Sequence, residues 1–251
     1  MSNLERLRAA AKAAFVDRDI DAVDDYWAED YIQHSLYAPA GREGFKEALR
    51  TLPADFAYTP ARAFEDGDYA VLHGTYAGFG PAPLVAFDLM RMEDGKNAEH
   101  WDILVPVVEP TVSGRSQTDG PADVEDLDRT GANKALVAEF AEKVLIGRDY
   151  SALADYISSE EYHQHNPEAA DGLDGFGAAV AKWASEGKEL LYRTVHHLVG
   201  QGNFVLTVSE GEFGVPIAYW DLWRLKDGKI VEHWDAIQPI PEATPHGNGV
   251  F

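Results

Sequence analysis

The tetrapeptide Glu-His-Trp-Asp is written twice, at 99–102 and at 232–235, each time within an apolar, strand-like run. The likeness extends beyond the four residues. The run 87–102, FDLMRMEDGKNAEHWD, lies over 220–235, WDLWRLKDGKIVEHWD, at an offset of 133, with ten of sixteen positions identical. Upstream, YIQHSLYAPAGREGF (31–45) lies over YHQHNPEAADGLDGF (162–176) at an offset of 131, and seven positions coincide. Further back, Arg18-Asp19 and Tyr26 match Arg148-Asp149 and Tyr156 at an offset of 130. Order is kept while the offset drifts, as small loop insertions would make it drift. This is a tandem duplication of a unit of about 115–130 residues, an ordinary domain size. Such a chain is constrained to build one fold twice.

Between the copies runs EPTVSGRSQTDGPADVEDLDRTG, rich in Pro, Gly, Ser and Asp and without a sustained apolar period. It reads as a linker. The expected domains are 1–118 and 119–251. Hydrophobic residues make up 45% of the chain, enough for a packed core in each copy. The net charge of −22 argues against nucleic acid and anionic membrane as partners, since both would repel it. With no cysteine, disulfides and thiolate metal sites are excluded. The opening MSNLERLRAAAKAAF carries no long apolar run and no cleavable signal pattern, so a soluble, cytoplasmic protein is expected.

Each copy opens with helical spacing. In the first, Ser2 and Glu5 have the form of a capping box ahead of Leu4, Leu7, Ala11 and Phe15. In the second, Asn133 is the expected cap ahead of Leu136, Val137 and Phe140. A short second helix carries Val23, Tyr26 and Trp27, and a third carries Phe45, Ala48 and Leu49. The grammar then changes to strands. DYAVLHGTYAGF, PLVAFDLMRM and NAEHWDILVPV are β-rich, and Asp94-Gly95 is a hairpin turn signal that returns as Asp227-Gly228. Helices followed by a meandering sheet predict an α+β fold. The expected architecture is two tandem cone-shaped α+β barrels, each with three helices on a curved, mostly antiparallel sheet.

The order Tyr-x-Gln-His, then Gly-x-x-Gly-Phe, then Asp-Leu-x-Arg-x-x-Asp-Gly-Lys, then Glu-His-Trp-Asp resembles the SnoaL-like polyketide cyclase family of the nuclear transport factor 2-like superfamily. The tail PEATPHGNGVF is similar to that family's C-terminal ending, which implies that the tail is held and that Phe251 packs. The resemblance covers both copies. It implies cofactor-free chemistry on a small molecule in the cavity of each cone, and a pairing of the two units within the chain as an intramolecular pseudo-dimer.

Alternation along a strand puts His100 and Asp102 on one face and Glu99, Trp101 and Ile103 on the other. An imidazole beside a carboxylate can share a proton or position a water, which is the equipment of acid–base catalysis. His233 and Asp235 repeat the pair. The resemblance implies Asp102 and Asp235 as the acid–base carboxylates. His34, His100, His165 and His233 are then the orienting or proton-relay groups. His73, where the second copy is expected to have Thr207, is a further binding candidate. Gln33, Tyr31, Trp27, Phe87, Gln164, Tyr162 and Trp220 complete the expected substrate-binding set. Arg91 and Glu99, joined by the Asp94-Gly95 turn, are expected to form a cross-strand ion pair. Although His34, His100 and Asp102 have ligand chemistry, their spacing matches no metal motif and the resemblance implies cofactor-free chemistry, so neither metal nor cofactor is expected. The leading expectation is acid–base chemistry next to a carbonyl, as in an aldol-type cyclisation or an isomerisation, on an apolar or aromatic carbonyl compound. A binding module for an apolar ligand and an epoxide or lactone hydrolase stay open. Ser35-Leu36 stands where the second copy has Asn166-Pro167, the commoner form in the family, so the first pocket is the one that departs from it.

Overall fold

A computed structural model describes all 251 residues, Met1–Phe251. The chain forms two compact units. Unit 1 is Met1–Val107 together with Pro241–Phe251, and unit 2 is Val108–Ile240. The expected division at 118/119 is therefore corrected at both ends. Composition identifies a linker but not the body it lies against. Hydrogen bonding does: the Val112 N–H donates to the Pro167 carbonyl in unit 2, and His246 Nε2 meets the Ser35 carbonyl in unit 1.

In unit 1, α1 (Asn3–Ala11) begins at the Ser2/Glu5 capping box and runs on through a π-helical turn, Lys12–Val16. After it come α2 (Val23–Tyr26), β1 (Trp27–Gln33) and α3 (Gly41–Thr51). The remaining strands are β2 (Ala57–Asp66), β3 (Tyr69–Ala77), β4 (Leu84–Glu93) and β5 (Lys96–Pro106). The sheet order is β1-β5-β4-β3-β2, with β1 parallel to β5 and the other pairs antiparallel. Leu7, Ala10, Trp27, Phe45 and Leu49 bury the helical layer against it.

Unit 2 repeats the order with α4 (Thr130–Phe140), α5 (Leu153–Tyr156), β6 (His163–Gln164), α6 (Gly172–Ser185), β7 (Leu191–Gln201), β8 (Phe204–Glu212), β9 (Pro216–Lys226) and β10 (Lys229–Pro239). Its sheet order, β6-β10-β9-β8-β7, is the same topology. No helix is long and apolar enough to cross a membrane.

Three local expectations change. Asn133 does not cap α4: it lies inside the helix, buried, with Nδ2 donating to the Gly202 carbonyl. Two strands in each unit, β1 and β2 with their counterparts β6 and β7, escaped the periodicity. Pro60 obscures β2, yet a proline is tolerated there because β2 is an edge strand with a bulge between Pro60 and Arg62. His73 is paired with Phe87, and in unit 2 it is Val208 that faces Trp220, so Val208 is its counterpart; Thr207 answers to Leu72.

Candidate active site

The cross-strand register of β4 and β5 sets Asp88 directly opposite Asp102 and Met90 opposite His100. All four point to the helical side. There they meet Gln33, which ends β1 beside His100 in the parallel register. His100 Nδ1 lies 2.9 Å from Gln33 Oε1, and Nε2 lies 3.1 Å from Asp88 Oδ1. The same Gln33 oxygen accepts the backbone N–H groups of His34 and Ser35, which fixes the orientation of the amide. Nδ1 must therefore bring the proton to Gln33, and Nε2 meets Asp88 across a second one. The Tyr76 hydroxyl donates to the other Asp88 oxygen at 3.1 Å. Asp88 is thus tied down by the protein, whereas Asp102 opens to a cavity.

That cavity measures about 360 Å³, within the roughly 300–1,000 Å³ of small-molecule pockets. Phe15, Trp27, Phe45, Leu49, Phe56 and Leu104 are among its apolar walls, and Asp102, His100, Asp88, Gln33 and Ser35 form its polar end. Tyr58 also lines it, with a buried hydroxyl that has no hydrogen-bond partner in the protein. Burial, with the charge of Asp88 adding to it, pushes the Tyr58 phenol well up, so the hydroxyl keeps its proton.

Burial is also the main influence on Asp102. Helped by the charge of Asp88, and opposed by His100 and a hydrogen bond from Ser35, it raises the carboxyl to about 6. On His100 burial disfavours the charge, but the hydrogen bond to Asp88 and the charges of Asp102 and Asp88 outweigh it and leave the imidazole above its ordinary pKa.

Unit 2 keeps the charged constellation. His233 Nδ1 lies 3.0 Å from Gln164 Oε1, and Nε2 lies 3.1 Å from Asp221 Oδ1. Burial likewise raises Asp235 to about 6, against the opposing influence of His233 and a hydrogen bond from Asn166. The space is gone, however: the residual cavity is about 20 Å³, room for about one water. Trp223 occupies the place of Met90, stacks on His233 with centroids 4.1 Å apart, and donates its indole N–H to Thr207 at 3.1 Å. Trp183, in a helix three residues longer than α3, stands where unit 1 has Leu52. Tyr219 stands where unit 1 has Ala86, over Gly211, where a Cβ would approach its ring to 2.7 Å. The hydroxyl that holds Asp221 comes from Tyr192, the counterpart of Tyr58, rather than from the strand that supplies Tyr76.

The expected site residues divide accordingly. Asp102, His100, Gln33 and Trp27 meet at the unit 1 cavity, and Asp235, His233, Gln164 and Tyr162 at the closed counterpart. Tyr31 is buried just outside the lining, and its hydroxyl accepts from Gln33 Nε2 at 3.2 Å. Phe87, His73 and Trp220 are buried on the opposite sheet face, with His73 stacked on Phe87 at 4.0 Å. His34 and His165 also leave the site. They stack on Trp101 and Trp234 and hydrogen-bond to Glu99 and Glu232. Alternation explains it: Gln33 shares the face of His100, so the residue after it turns away. The expected Arg91–Glu99 pair is present at 2.9 Å, and Arg224–Glu232 repeats it at 2.6 Å.

Sequence reading missed Asp88 and Asp221 as the partners of the histidines. The signal was the Asp94-Gly95 turn, which folds β4 back along β5. Asp88, His100 and Asp102 bring one nitrogen and two carboxylate oxygens within 4.8 Å of one another, and Asp221, His233 and Asp235 do the same. These are donor types that suit a divalent cation.

The family model of the SnoaL-like domain matches residues 7–100 and again 137–233, one match per unit. The chain belongs to that family and carries its domain twice. Among solved structures it is similar to TsrD from Streptomyces laurentii, at 23% identity over 41% of this chain and 87% of that one, with a TM-score of 0.35. A candidate polyketide cyclase from Acidithiobacillus ferrooxidans is 22% identical over 41% and 88%, with a TM-score of 0.36. A candidate ketosteroid isomerase from Kribbella flavida is 23% identical over 50% and 96%, with a TM-score of 0.37. Identities this low carry no information on substrate or reaction. Among curated proteins none matches.

Proposed function

We propose that unit 1 is a cofactor-independent acid–base catalyst of the cyclase or isomerase type, acting next to the carbonyl of a largely apolar small molecule, and that unit 2 is its retired copy. One observation carries the reading. Of the two carboxylates at the polar end of this ligand-sized apolar cavity, Asp88 is bound to His100 and Tyr76, and Asp102 is the one that burial holds at a pKa of about 6. A carboxylate tuned toward neutrality is a stronger base than an exposed one and still ionises at physiological pH.

In this reading the Asp102 carboxylate takes a proton from the carbon beside the carbonyl. The C–H electron pair passes into an enolate, and the Tyr58 hydroxyl donates to the enolate oxygen. Return of the proton to a different carbon completes an isomerisation. Attack of the enolate carbon on a second carbonyl forms a C–C bond, and Asp102 returns its proton to the new alkoxide. His100, held by Gln33 and Asp88, keeps a positive partner beside Asp102 as that carboxyl changes charge. Both nitrogens of His100 are hydrogen-bonded within the protein, which favours a proton network over metal ligation.

The test uses 2-tetralone, a bicyclic ketone, in D₂O. Exchange of its α-hydrogens for deuterium, followed by NMR, is expected with the native protein and lost in Asp102→Asn; chelator leaves it unchanged. Binding of the ketone without any exchange across pH 5–9 overturns the catalytic reading in favour of a binding module. Pairing of the two units within one chain, and a cytoplasmic location, belong to the same proposal. A monomeric mass by light scattering is the expected outcome for the first.

A further inference from the structure

His34 and His165 recur in both copies, yet the site does not use them. Each is caught by a strap of chain. In unit 1 the strap is the C-terminal segment. His34 Nδ1 lies 3.2 Å from the Gly249 carbonyl, and Nε2 lies 3.1 Å from Glu99, whose other oxygen is held by Arg91. Both ring nitrogens thus face acceptors. Asn248 Nδ2 donates to the Gln33 carbonyl at 2.9 Å, and His246 Nε2 donates to the Ser35 carbonyl at 3.1 Å. His246 Nδ1 accepts the Asn248 N–H, which makes this ring a neutral tautomer that ties the strap together while gripping Ser35.

Unit 2 has the same construction. His165 Nδ1 lies 2.6 Å from the Ser116 carbonyl, and Nε2 lies 2.9 Å from Glu232. Ser116 and Gly249 stand at the same offset of 133 as the two EHWD copies. Gly114 and Gly247, also at that offset, share φ values of +77° and +76° and bond back to Thr111 and Thr244. The strap is therefore part of the duplicated unit. The strap that follows β5 belongs to unit 2, and the strap that follows β10 belongs to unit 1.

The contacts of the C-terminal strap converge on Gln33, His34 and Ser35. Gln33 holds His100, Ser35 hydrogen-bonds to Asp102, and His34 between them is latched. We infer that His246, Asn248 and Gly249 are positioning residues for the unit 1 site, fixing through the backbone of residues 33–35 the groups that orient His100 and Asp102. The inference rests on the catalytic reading for its kinetic consequence, but not for its structural one.

Two chains are compared with the native protein: one ending at Pro245, and full-length Asn248→Ala. Expected are a displaced ¹⁵N signal and titration midpoint for the His100 ring, a shifted pH midpoint of 2-tetralone exchange, and a fall in kcat of about tenfold with little change in KM, as a small misplacement of a catalytic group produces. Asn248→Gln, which keeps the donor, restores much of this. If the shortened chain does not fold, the Asn248 pair decides alone. Unchanged His100 titration and an unchanged pH profile in the folded variants overturn the inference. If Asp102→Asn fails to abolish exchange, the catalytic reading falls and the His100 spectra still decide the role of the strap.

Discussion

Units 1 and 2 share topology, the His-x-Asp pair, the glutamine behind the histidine and the carboxylate across the strand, yet one encloses about 360 Å³ and the other about 20 Å³. The polar constellation therefore does not make the pocket. The difference lies in apolar positions around it, where unit 1 has Met90, Leu52 and Ala86 and unit 2 has Trp223, Trp183 and Tyr219. Each exchange brings its own accommodation: Thr207 for the Trp223 indole, Glu168 for the Trp183 indole, Gly211 beneath the Tyr219 ring. A filled cavity gains packing and buried apolar area, at about 25 cal/mol per Å² removed from water. In unit 2 the space that is a cavity in unit 1 is filled by core side chains.

The comparison is sharpest at the two aspartates. Asp102→Asn is expected to lower 2-tetralone exchange by about 10²-fold or more, and Asp235→Asn to leave it within about twofold. Equal losses in the two variants would break the asymmetry, and circular dichroism separates either result from unfolding. A graft comes next. Met90→Trp imports the Trp223 side chain into unit 1 without Thr207 to receive its N–H, and ketone affinity measured by calorimetry should fall about tenfold, with a stability change of about 1–3 kcal/mol from overpacking.

The pH dependence ranks third. With the Asp102 carboxyl at about 6, its basic form is depleted as pH falls, so exchange should decline about tenfold from pH 8 to pH 5 along a single titration. A flat profile would remove Asp102 as the base. The fourth concerns stability rather than activity. Asp235 is raised from 3.8 unfolded to about 6 folded, so its favourable contribution is complete below 3.8 and is lost as pH rises through 6. Asp235→Asn, which can still accept from Asn166, should therefore stabilise the protein by about 2–3 kcal/mol at pH 8 and by well under about 1 kcal/mol at pH 4, read from denaturant melts. Equal shifts at both pH values would show that the carboxylate is not strained by burial.

Much of the fold was legible because duplication tests itself: a periodicity that is ambiguous once is informative when it recurs at a constant offset. The α1 capping box, the β4–β5 turn and the Arg91–Glu99 pair are local and appeared as expected. Long-range pairing was harder to read. With β1 unrecognised as a strand, Gln33 and His34 were both expected at the site, whereas strand alternation sends them to opposite faces. The substitution at Ser35-Leu36 suggested that unit 1 was the altered pocket. Cavity volume reverses that, because it is set by Trp183 and Trp223, which lie 40 positions apart and meet only when α6 closes over β9. Large aromatics at helix and strand positions read as ordinary core, and in unit 2 they are.

The allocation of the straps bears on synthesis as well as on geometry. Residues 246–249, which grip the Gln33–Ser35 segment, leave the ribosome only after all of unit 2. At roughly 5–20 residues per second, the β1–β5 sheet waits roughly 7–30 seconds for its last hydrogen bonds. A nascent chain interrupted within unit 2 thus carries a complete unit 1 sheet in which His34 has Glu99 and Trp101 but not the Gly249 carbonyl, so translation itself sets the moment at which the strap can close on Gln33–Ser35.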